Sequence, residues 1–315
     1  MKKLAIQMDA VETLKPQTDT TILLGTEAIR RGYSVYYYLP SALNFKNGEL
    51  TAKARPVSFC ADSSHYYMQG DYETISLNAM DVVLMRQDPP FNMAYITATH
   101  LLERLKPDTL VVNDPYHVRN APEKLFMFDF AEFTPPTLIT REVEQIEGFL
   151  QEHQDIVLKP LYGYAGQAVF RIKEGDSNLH SLLEMFFANS PEPIIAQRFI
   201  PEIKTMDKRV IVIEGKVSAI MGRVPASHDI RANMRVGGTG VKIDWQERDV
   251  MIGETIGAVL EKRGIVLAGI DIIGNYLTEI NVTCPTGLVK SNALYGLNQE
   301  SLFWDAVETR LAFHL

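Results

Sequence analysis

Asp271, Glu279 and Asn281 are three hard oxygen donors in one short stretch, Gly269 to Thr283, which reads as two β-strands around a Gly274-Asn275 turn. If Asp271 pairs across from Glu279, strand alternation puts Asp271, Glu279 and Asn281 on one face and Ile270, Ile272 and Ile280 on the other. That registration needs an odd number of turn residues, for example Gly274 to Tyr276, or a bulge; a strict two-residue turn sends the carboxylates to opposite faces. Two carboxylates and an amide suit magnesium better than zinc, because magnesium takes oxygen ligands and shares its shell with water and substrate phosphates. An acidic surface hairpin is the plain alternative for a lone Asp and Glu. The Glu-x-Asn spacing and the apolar opposite face favour the cation.

Cationic side chains and glycines supply the counterpart. The strand Asp155 to Pro160 carries Lys159 near its end, and Gly163-Tyr164-Ala165-Gly166 follows before a strand from Ala168 to Lys173. A hairpin of this kind can fold its tip over a phosphate chain and offer backbone N–H groups. It is not a Walker A loop, since Gly-Lys-Ser/Thr is missing and no helix follows. Lys124 lies upstream. Arg209 and Arg223 fall at one end of a second hairpin (Asp207 to Ile213, then Val217 to Arg223), with Arg231 and Asn233 in the loop beyond it. Such a group around glycines suggests an anion pocket, although solvated charge is the usual explanation for any one arginine. Arg86 follows the strand Asp81 to Met85, where open α/β sheets place ligands, and its fork suits a carboxylate; pairing with Asp88 is the equal alternative. Asn113-Asp114-Pro115 reads as a plain turn. Cys284 borders the acidic hairpin but has neither a helix N-terminus before it nor a clear His partner, so it reads as a packed thiol. No hydrolase triad signature is present.

The elements that must position these residues follow from periodicity. Leu4 to Met8, a helix from Asp19 to Arg31 capped by Thr18 or Asp19, and Ser34 to Leu39 form a β-α-β unit, which implies a parallel sheet. A meander from Pro40 to Asn78, a helix from Ala94 to Leu105 and a strand from Thr109 to Asn113 complete the first part. No Gly-x-Gly-x-x-Gly follows the first strand, so this is not a dinucleotide-binding domain of the usual kind. Further on come a short helix at Pro122 to Phe126, a helix from Glu142 to Glu152 capped by Thr140, and a strand from Pro193 to Pro201. A helix running to Arg263 behind an Asp244…Glu247 capping box and a terminal helix from Gln299 to Leu311 complete the chain.

At 315 residues, two domains are expected. A net charge of −8 gives no reason to expect nucleic acid or an anionic membrane as partner. No apolar run reaches transmembrane length. Met1-Lys2-Lys3 starts like a signal peptide, but Gln7 and Asp9 interrupt any apolar region. The two cysteines, Cys60 and Cys284, are isolated, which points to a reducing cytoplasm.

Together these parts resemble the ATP-grasp superfamily: Lys124, Lys159-Pro160, the glycine hairpin, Asp207-Lys208-Arg209, and Asp271 with Glu279 and Asn281. More narrowly, Met85-Arg86-x-Asp88-Pro89-Pro90-Phe91, Glu123-Lys124-Leu125-Phe126, Asp207 to Val210 and the long motif from Gly269 to Thr286 resemble the bacterial glutathione synthetase family, in the same order and nearly end to end. The loop at Tyr162 to Gly166 departs from that family's Asp-Gly-x-Gly-Gly, and Gly287 to Ala293 diverges as well. These departures leave lid behaviour and acceptor choice open.

The resemblance implies an α/β protein: an open, mostly parallel, Rossmann-like N-terminal sheet domain (1–121), an ATP subdomain with the lid (122–202), and a C-terminal metal and substrate subdomain (203–315) of α+β type. It implies a cytoplasmic homodimeric or homotetrameric ligase. The reaction joins γ-glutamylcysteine to glycine with ATP and Mg2+ (Mn2+ as a substitute), through an acyl phosphate. Carried over, Lys124 and Lys159 hold phosphates, with Gly163, Tyr164, Ala165 and Gly166 as the lid. Gln197, Arg198, Phe199 and Ile200 form the adenine-side hinge, and Asp207 also contacts the nucleotide. Asp271, Glu279 and Asn281 bind the metal. Arg86, Arg209, Arg223, Arg231 and Asn233 handle substrate, and Arg209, Arg223 and Arg231 serve catalysis. The competing readings are an ATP-grasp ligase with other substrates and a nucleotide-binding regulator that has lost turnover.

Overall fold

The computed structural model describes residues 1–59, 67–164, 166–227, 229 and 231–314, so Cys60 and Ala165 lie outside the described residues. Three sheets organise the chain. The first contains β1 (Lys3–Gln7), β2 (Ser34–Tyr38), β3 (Leu43–Lys46), β4 (Glu49–Phe59), β5 (Tyr67–Gln69), β6 (Glu73–Ser76), β7 (Val82–Met85) and β8 (Leu110–Val112). Its centre, β2-β1-β7-β8, is parallel. The meander β3 to β6 extends it antiparallel through β4. The parallel centre follows from the crossover helices α1 (Thr20–Arg30) and α2 (Met93–Glu103). Asp19 Oδ1 caps α1 by accepting from the N–H groups of Thr21 and Ile22 at 2.7 and 3.0 Å, and Asn92 caps α2.

After β8, Asn113-Asp114-Pro115 is not a plain turn. Asp114 N-caps α3 (Pro115–Arg119), accepting from His117 N at 3.1 Å. Asn113 is buried and spans to the third sheet: its amide donates to Leu267 O and Val282 O and accepts from the N–H groups of Val266 and Leu267, all at 2.8–3.0 Å. The short helix expected to start at Pro122 to Phe126 starts at Phe126: Pro122 to Leu125 is a turn that leads into a kinked 3-10 segment, Phe126–Phe133.

The second sheet, β9 (Thr137–Thr140), β10 (Asp155–Pro160), β11 (Phe170–Lys173) and β12 (Ile194–Arg198), is antiparallel in the order β11-β10-β12-β9. Two helices cover it, α4 (Val143–His153) and α5 (Leu179–Asn189). The N-cap of α4 is Glu142 rather than Thr140, whose Oγ1 accepts from Glu142 N just outside the helix. The helix α5 was not expected; Leu179, Leu183 and Phe186 are its buried stripe. These layers enclose a core of their own, with Ile146, Ile156, Leu158, Leu183 and Ala196 at its centre.

The third sheet holds β13 (Asp207–Ile213), β14 (Lys216–Val224), β15 (Thr239–Val241), β16 (Leu267–Ile273) and β17 (Tyr276–Asn281), in the order β15-β14-β13-β16-β17. The helices α6 (Glu247–Lys262), α7 (Leu288–Tyr295) and α8 (Gln299–His314) pack around it. The expected capping box is absent: α6 starts at Glu247 after Gln246, with no side-chain cap. The helix α7 lies between the β16–β17 hairpin and the terminal helix, where no element was expected. Apolar clusters run continuously from the first sheet into the third, and Trp304 on α8 donates to Leu24 O of α1 at 2.8 Å.

The β16–β17 hairpin pairs Asp271 with Glu279, as the sequence required, by a specific device. The turn is the two-residue Gly274-Asn275. The register then slips: Ile272 faces Leu277, Asp271 faces Glu279, and Thr278 is the extra residue of a bulge. Thr278 Oγ1 donates to Asp271 O at 3.0 Å, closing the bulge. Ile270, Ile272 and Ile280 are fully buried on the opposite face.

Candidate active site

A cleft opens between the second and third sheets. Lys124, Lys159, Gly163 and Gly166 line it on one side; Asp207, Arg223, Arg231, Asn233, Asp271 and Glu279 line the other. Gln197, Arg198, Phe199 and Ile200 close its back. Arg86, Tyr164, Arg209 and Asn281 do not line it.

The two lysines converge from different elements, Lys124 from the turn before the 3-10 segment and Lys159 from β10. Lys124 forms an ion pair with Glu279 Oε1 at 2.9 Å, and its ammonium also donates to Gly163 O, tying the glycine hairpin to the metal-candidate hairpin. Burial opposes its charge, but the carboxylates of Glu279 and Glu123 outweigh that and hold its pKa above the usual lysine value. Lys159 donates to Gln197 Oε1 at 3.1 Å, and Gln197 in turn donates to Thr137 Oγ1 at 2.8 Å. Burial, reinforced by the neighbouring Lys124 charge, pushes Lys159 down to about 8. A polyanion bound here therefore meets a full cation only below that value. The apparent KM for a triphosphate is expected to rise as pH increases from 7.5 to 9, and a Lys159→Arg variant, which stays protonated, should flatten that rise.

Behind the cleft the arginines form a buried frame. Arg223 forks onto Asp207, Nε to Oδ1 and Nη2 to Oδ2 at 2.7 Å each, and reaches Asp271 Oδ2 at 2.9 Å. Arg209 forks onto Asp271 at 2.5 and 3.0 Å and donates to Thr286 O at 3.1 Å. Burial alone would raise the Asp271 pKa; the two guanidiniums reverse that and hold it well below the carboxylate range. On the open side, Arg231 forks onto Asp229 and donates to Gly166 O at 3.1 Å. Gly166 has φ +75°, and a Cβ there would stand 3.0 Å from Arg231 Cδ, so the closeness of the two loops needs glycine. At the back, Arg198 donates to Tyr276 Oη at 2.8 Å, and the Arg171 guanidinium covers the Phe199 ring at 3.7 Å.

The metal set is placed unevenly. Asp271 and Glu279 share a face, but both Asp271 oxygens are engaged by guanidiniums, and Asn281 donates to Gly269 O at 3.3 Å. Among the described residues no three His, Cys, Asp or Glu side chains converge as a metal cluster. The donor chemistry nevertheless fits a hard cation: oxygen atoms only, with a cleft-facing carboxylate, Glu279, that already holds an ammonium.

Arg86 does not pair with Asp88. Its Nε donates to Thr21 Oγ1 at 3.2 Å, while Asp88 pairs with Arg235. Cys284 donates its thiol to Arg86 O, and burial pushes its pKa far above the ordinary value, so it is no thiolate nucleophile. Sequence reasoning missed Glu123. It accepts from Thr283 Oγ1 at 3.0 Å and is pushed up to about 7 by burial and by Glu279. Its only signal was its place beside Lys124.

Known proteins agree with this geometry. Residues 2–119 match the N-terminal domain of prokaryotic glutathione synthetase and residues 123–296 its ATP-grasp domain. The glutathione synthetase of Mesorhizobium japonicum is 46% identical over 306 residues, covering 97% of this chain and 98% of that one. Among solved structures, a D-cycloserine synthetase superposes with a TM-score of 0.68 at 15% identity, covering 98% of this chain and 99% of that one. An ATP-grasp ligase complexed with a phosphomimetic precursor variant, Mg and ADP gives 0.64 at 16%, covering 98% of each chain. The last two similarities show the fold, and the first two comparisons show the lineage: the chain belongs to the prokaryotic glutathione synthetase family, ATP-grasp ligases that make glutathione at the expense of ATP.

Proposed function

We propose that this cleft joins the carboxylate of γ-glutamylcysteine to the amine of glycine, with Lys124 and Lys159 on the ATP phosphates and Asp271, Glu279 and Asn281 holding Mg2+. The observation that carries the reading is the meeting of Lys124 with Glu279 beside the Arg209–Asp271–Arg223 frame. A carboxylate is a poor acyl donor, so its oxygen takes the γ-phosphoryl group and ADP leaves. The glycine nitrogen then attacks the acyl carbon, phosphate departs, and the amine loses its proton. When bound, Mg2+ held by these oxygen donors would neutralise charge on the phosphates. The lysines screen the same charge, and Arg231 and Arg223 face the oxyanion that develops. Gly163 to Gly166 cover the phosphates and exclude water that would hydrolyse the intermediate. Phe199 and Ile200 offer an apolar wall to adenine. Arg86, at the end of β7, serves the donor peptide.

Magnesium is supported by the all-oxygen donor set and by the Mg and ADP found with the related-fold ligase. The division at 121 and 202 is supported by the three separate sheets. A cytoplasmic dimer or tetramer completes the reading; the family resemblance supports it. The deciding experiment is mass detection of product from ATP, Mg2+, γ-glutamylcysteine and glycine, with phosphate release scored over a panel of short peptides and amines. Glutathione is the expected product. Equal turnover of unrelated peptides would replace this reading with a broader ligase, and ATP binding without ADP formation from any amine would replace it with a regulator.

A further inference from the structure

The apolar side of the cleft is a small cluster of its own: Phe199, Ile203 and Ala232, with Val157 and Ile273 packed against it. These side chains come from β10, the segment after β12, the loop after β14 and the tip of the β16–β17 hairpin. A wall assembled from separate pieces grips a planar ring only if each piece is held in place. Ile273 stands at the hairpin tip, immediately before Gly274, and the tip has its own support.

That support is Lys208. Strand alternation sends Asp207 and Arg209 to the cleft side of β13 and Lys208 to the opposite side, under α6. Its ammonium donates to Gly274 O at 2.8 Å and pairs with Asp249, a carboxylate of α6 with no exposed surface. Asp249 Oδ2 is buried and accepts no hydrogen bond from the described residues. On the other side of the tip lies Glu202, from the 3-10 turn Pro201–Lys204 that follows the hinge. A Cβ at Gly274, whose φ is +58°, would stand 3.1 Å from Glu202 Cδ. The tip is thus wedged between Lys208 and the hinge segment. Replacing a buried ion pair by apolar residues of similar volume is often neutral or stabilising, so stability alone gives weak reason for this pair.

We propose that Lys208, anchored by Asp249, is a positioning residue for the nucleotide: it fixes the hairpin tip so that Ile273 closes the apolar wall against Phe199 and Ile203, and it sets ATP affinity without touching ATP. The proposal rests on the reading of the cleft as the nucleotide site. The test is the double variant Lys208→Met with Asp249→Leu, which removes both charges together and leaves no lone buried ion. Unfolding temperature, calorimetric affinity for a non-hydrolysable ATP analogue with Mg2+, and steady-state constants are measured side by side. The expected result is an unfolding temperature within about 3 °C of the parent or higher, an ATP KM and analogue Kd raised about tenfold, kcat within about twofold, and unchanged KM for peptide and glycine. Asp249→Asn keeps the shape and loosens the anchor, so it should shift ATP affinity the same way by less, and Lys208→Arg should restore most of it. Parent-like ATP affinity in the folded double variant, or in Asp249→Asn should the double variant not fold, overturns the proposal. So does a fall in kcat with KM unchanged. If the parent binds the analogue but makes no glutathione, the functional reading fails while this test stands; a parent that binds no ATP analogue overturns both.

Discussion

Glu279→Gln should lower kcat about a thousandfold while leaving the unfolding temperature close to that of the parent. Glu279 is a candidate ligand that lines the cleft without a guanidinium on it, and it also neutralises Lys124 at 2.9 Å. The amide keeps the shape and one acceptor for the lysine, so the hairpin and its bulge are retained. What is lost is the anionic oxygen that would share a cation with the phosphates. Charge stabilisation by a bound metal is worth several kcal/mol, and about 4 kcal/mol corresponds to roughly a thousandfold in rate. The measurement is kcat across a Mg2+ titration, with thermal unfolding as the control. Full turnover at ordinary Mg2+ would remove Glu279 from the site.

The second large effect is on stability. Arg223→Met removes the guanidinium that forks onto Asp207 and reaches Asp271, and leaves the Asp207 carboxylate buried without its charged partner. Breaking a buried pair by deleting one member costs about 3–5 kcal/mol, which for a chain of this size lowers the unfolding temperature by roughly 5–8 °C. The pH dependence has a definite sign. Arg209 and Arg223 hold the folded Asp271 pKa below its unfolded value, so their stabilisation is complete above about pH 4, the ordinary carboxylate range, and disappears as pH falls through the folded value. The gap between parent and variant should be widest near neutrality and narrow on acidification below pH 4, as read by chemical denaturation at each pH. A gap that persists unchanged at pH 3 would mean that packing, not charge, sets it.

Local periodicity made the parallel centre of the first sheet and the two C-terminal hairpins legible, because each is built from short-range signals: alternation, an Asp cap, a Gly-Asn turn. The pairing of Asp271 with Glu279 was also legible as a condition, but not the device that meets it. A bulge at Thr278 is chosen by packing on the far face, where Ile270, Ile272 and Ile280 must all reach the core. The helices α5 and α7 were missed for a different reason. Neither has a side-chain N-cap, and α7 begins directly after Gly287 at φ +116°. The Leu179, Leu183, Phe186 stripe was the available signal for α5. The capping box at Asp244 failed because α6 begins two residues later than a cap at Asp244 would place it. Asn113 and Glu123 were illegible in function because their partners lie far along the chain; an amide that satisfies four backbone groups of Val266, Leu267 and Val282 looks in sequence like any turn residue.

The private core of the β9–β12 lobe bears on how ligands enter and leave. The first and third sheets share continuous apolar clusters, stitched by Asn113 and by Trp304, so swinging one against the other would expose core. The middle lobe has an apolar core separate from those clusters. Among the described residues, it is held across the cleft by Gly163 O on Lys124, Gly166 O on Arg231, Arg198 on Tyr276 Oη, the Phe91–Tyr162 ring contact and the few side chains around Phe199. Opening therefore exchanges a handful of polar contacts for water and leaves the packed interiors intact. The groups that join the lobe to its neighbours, Lys124 and Arg231, are those proposed above for the phosphates and the reacting carboxyl. On that reading, substrate and the lobe's own carbonyls draw on the same two cations.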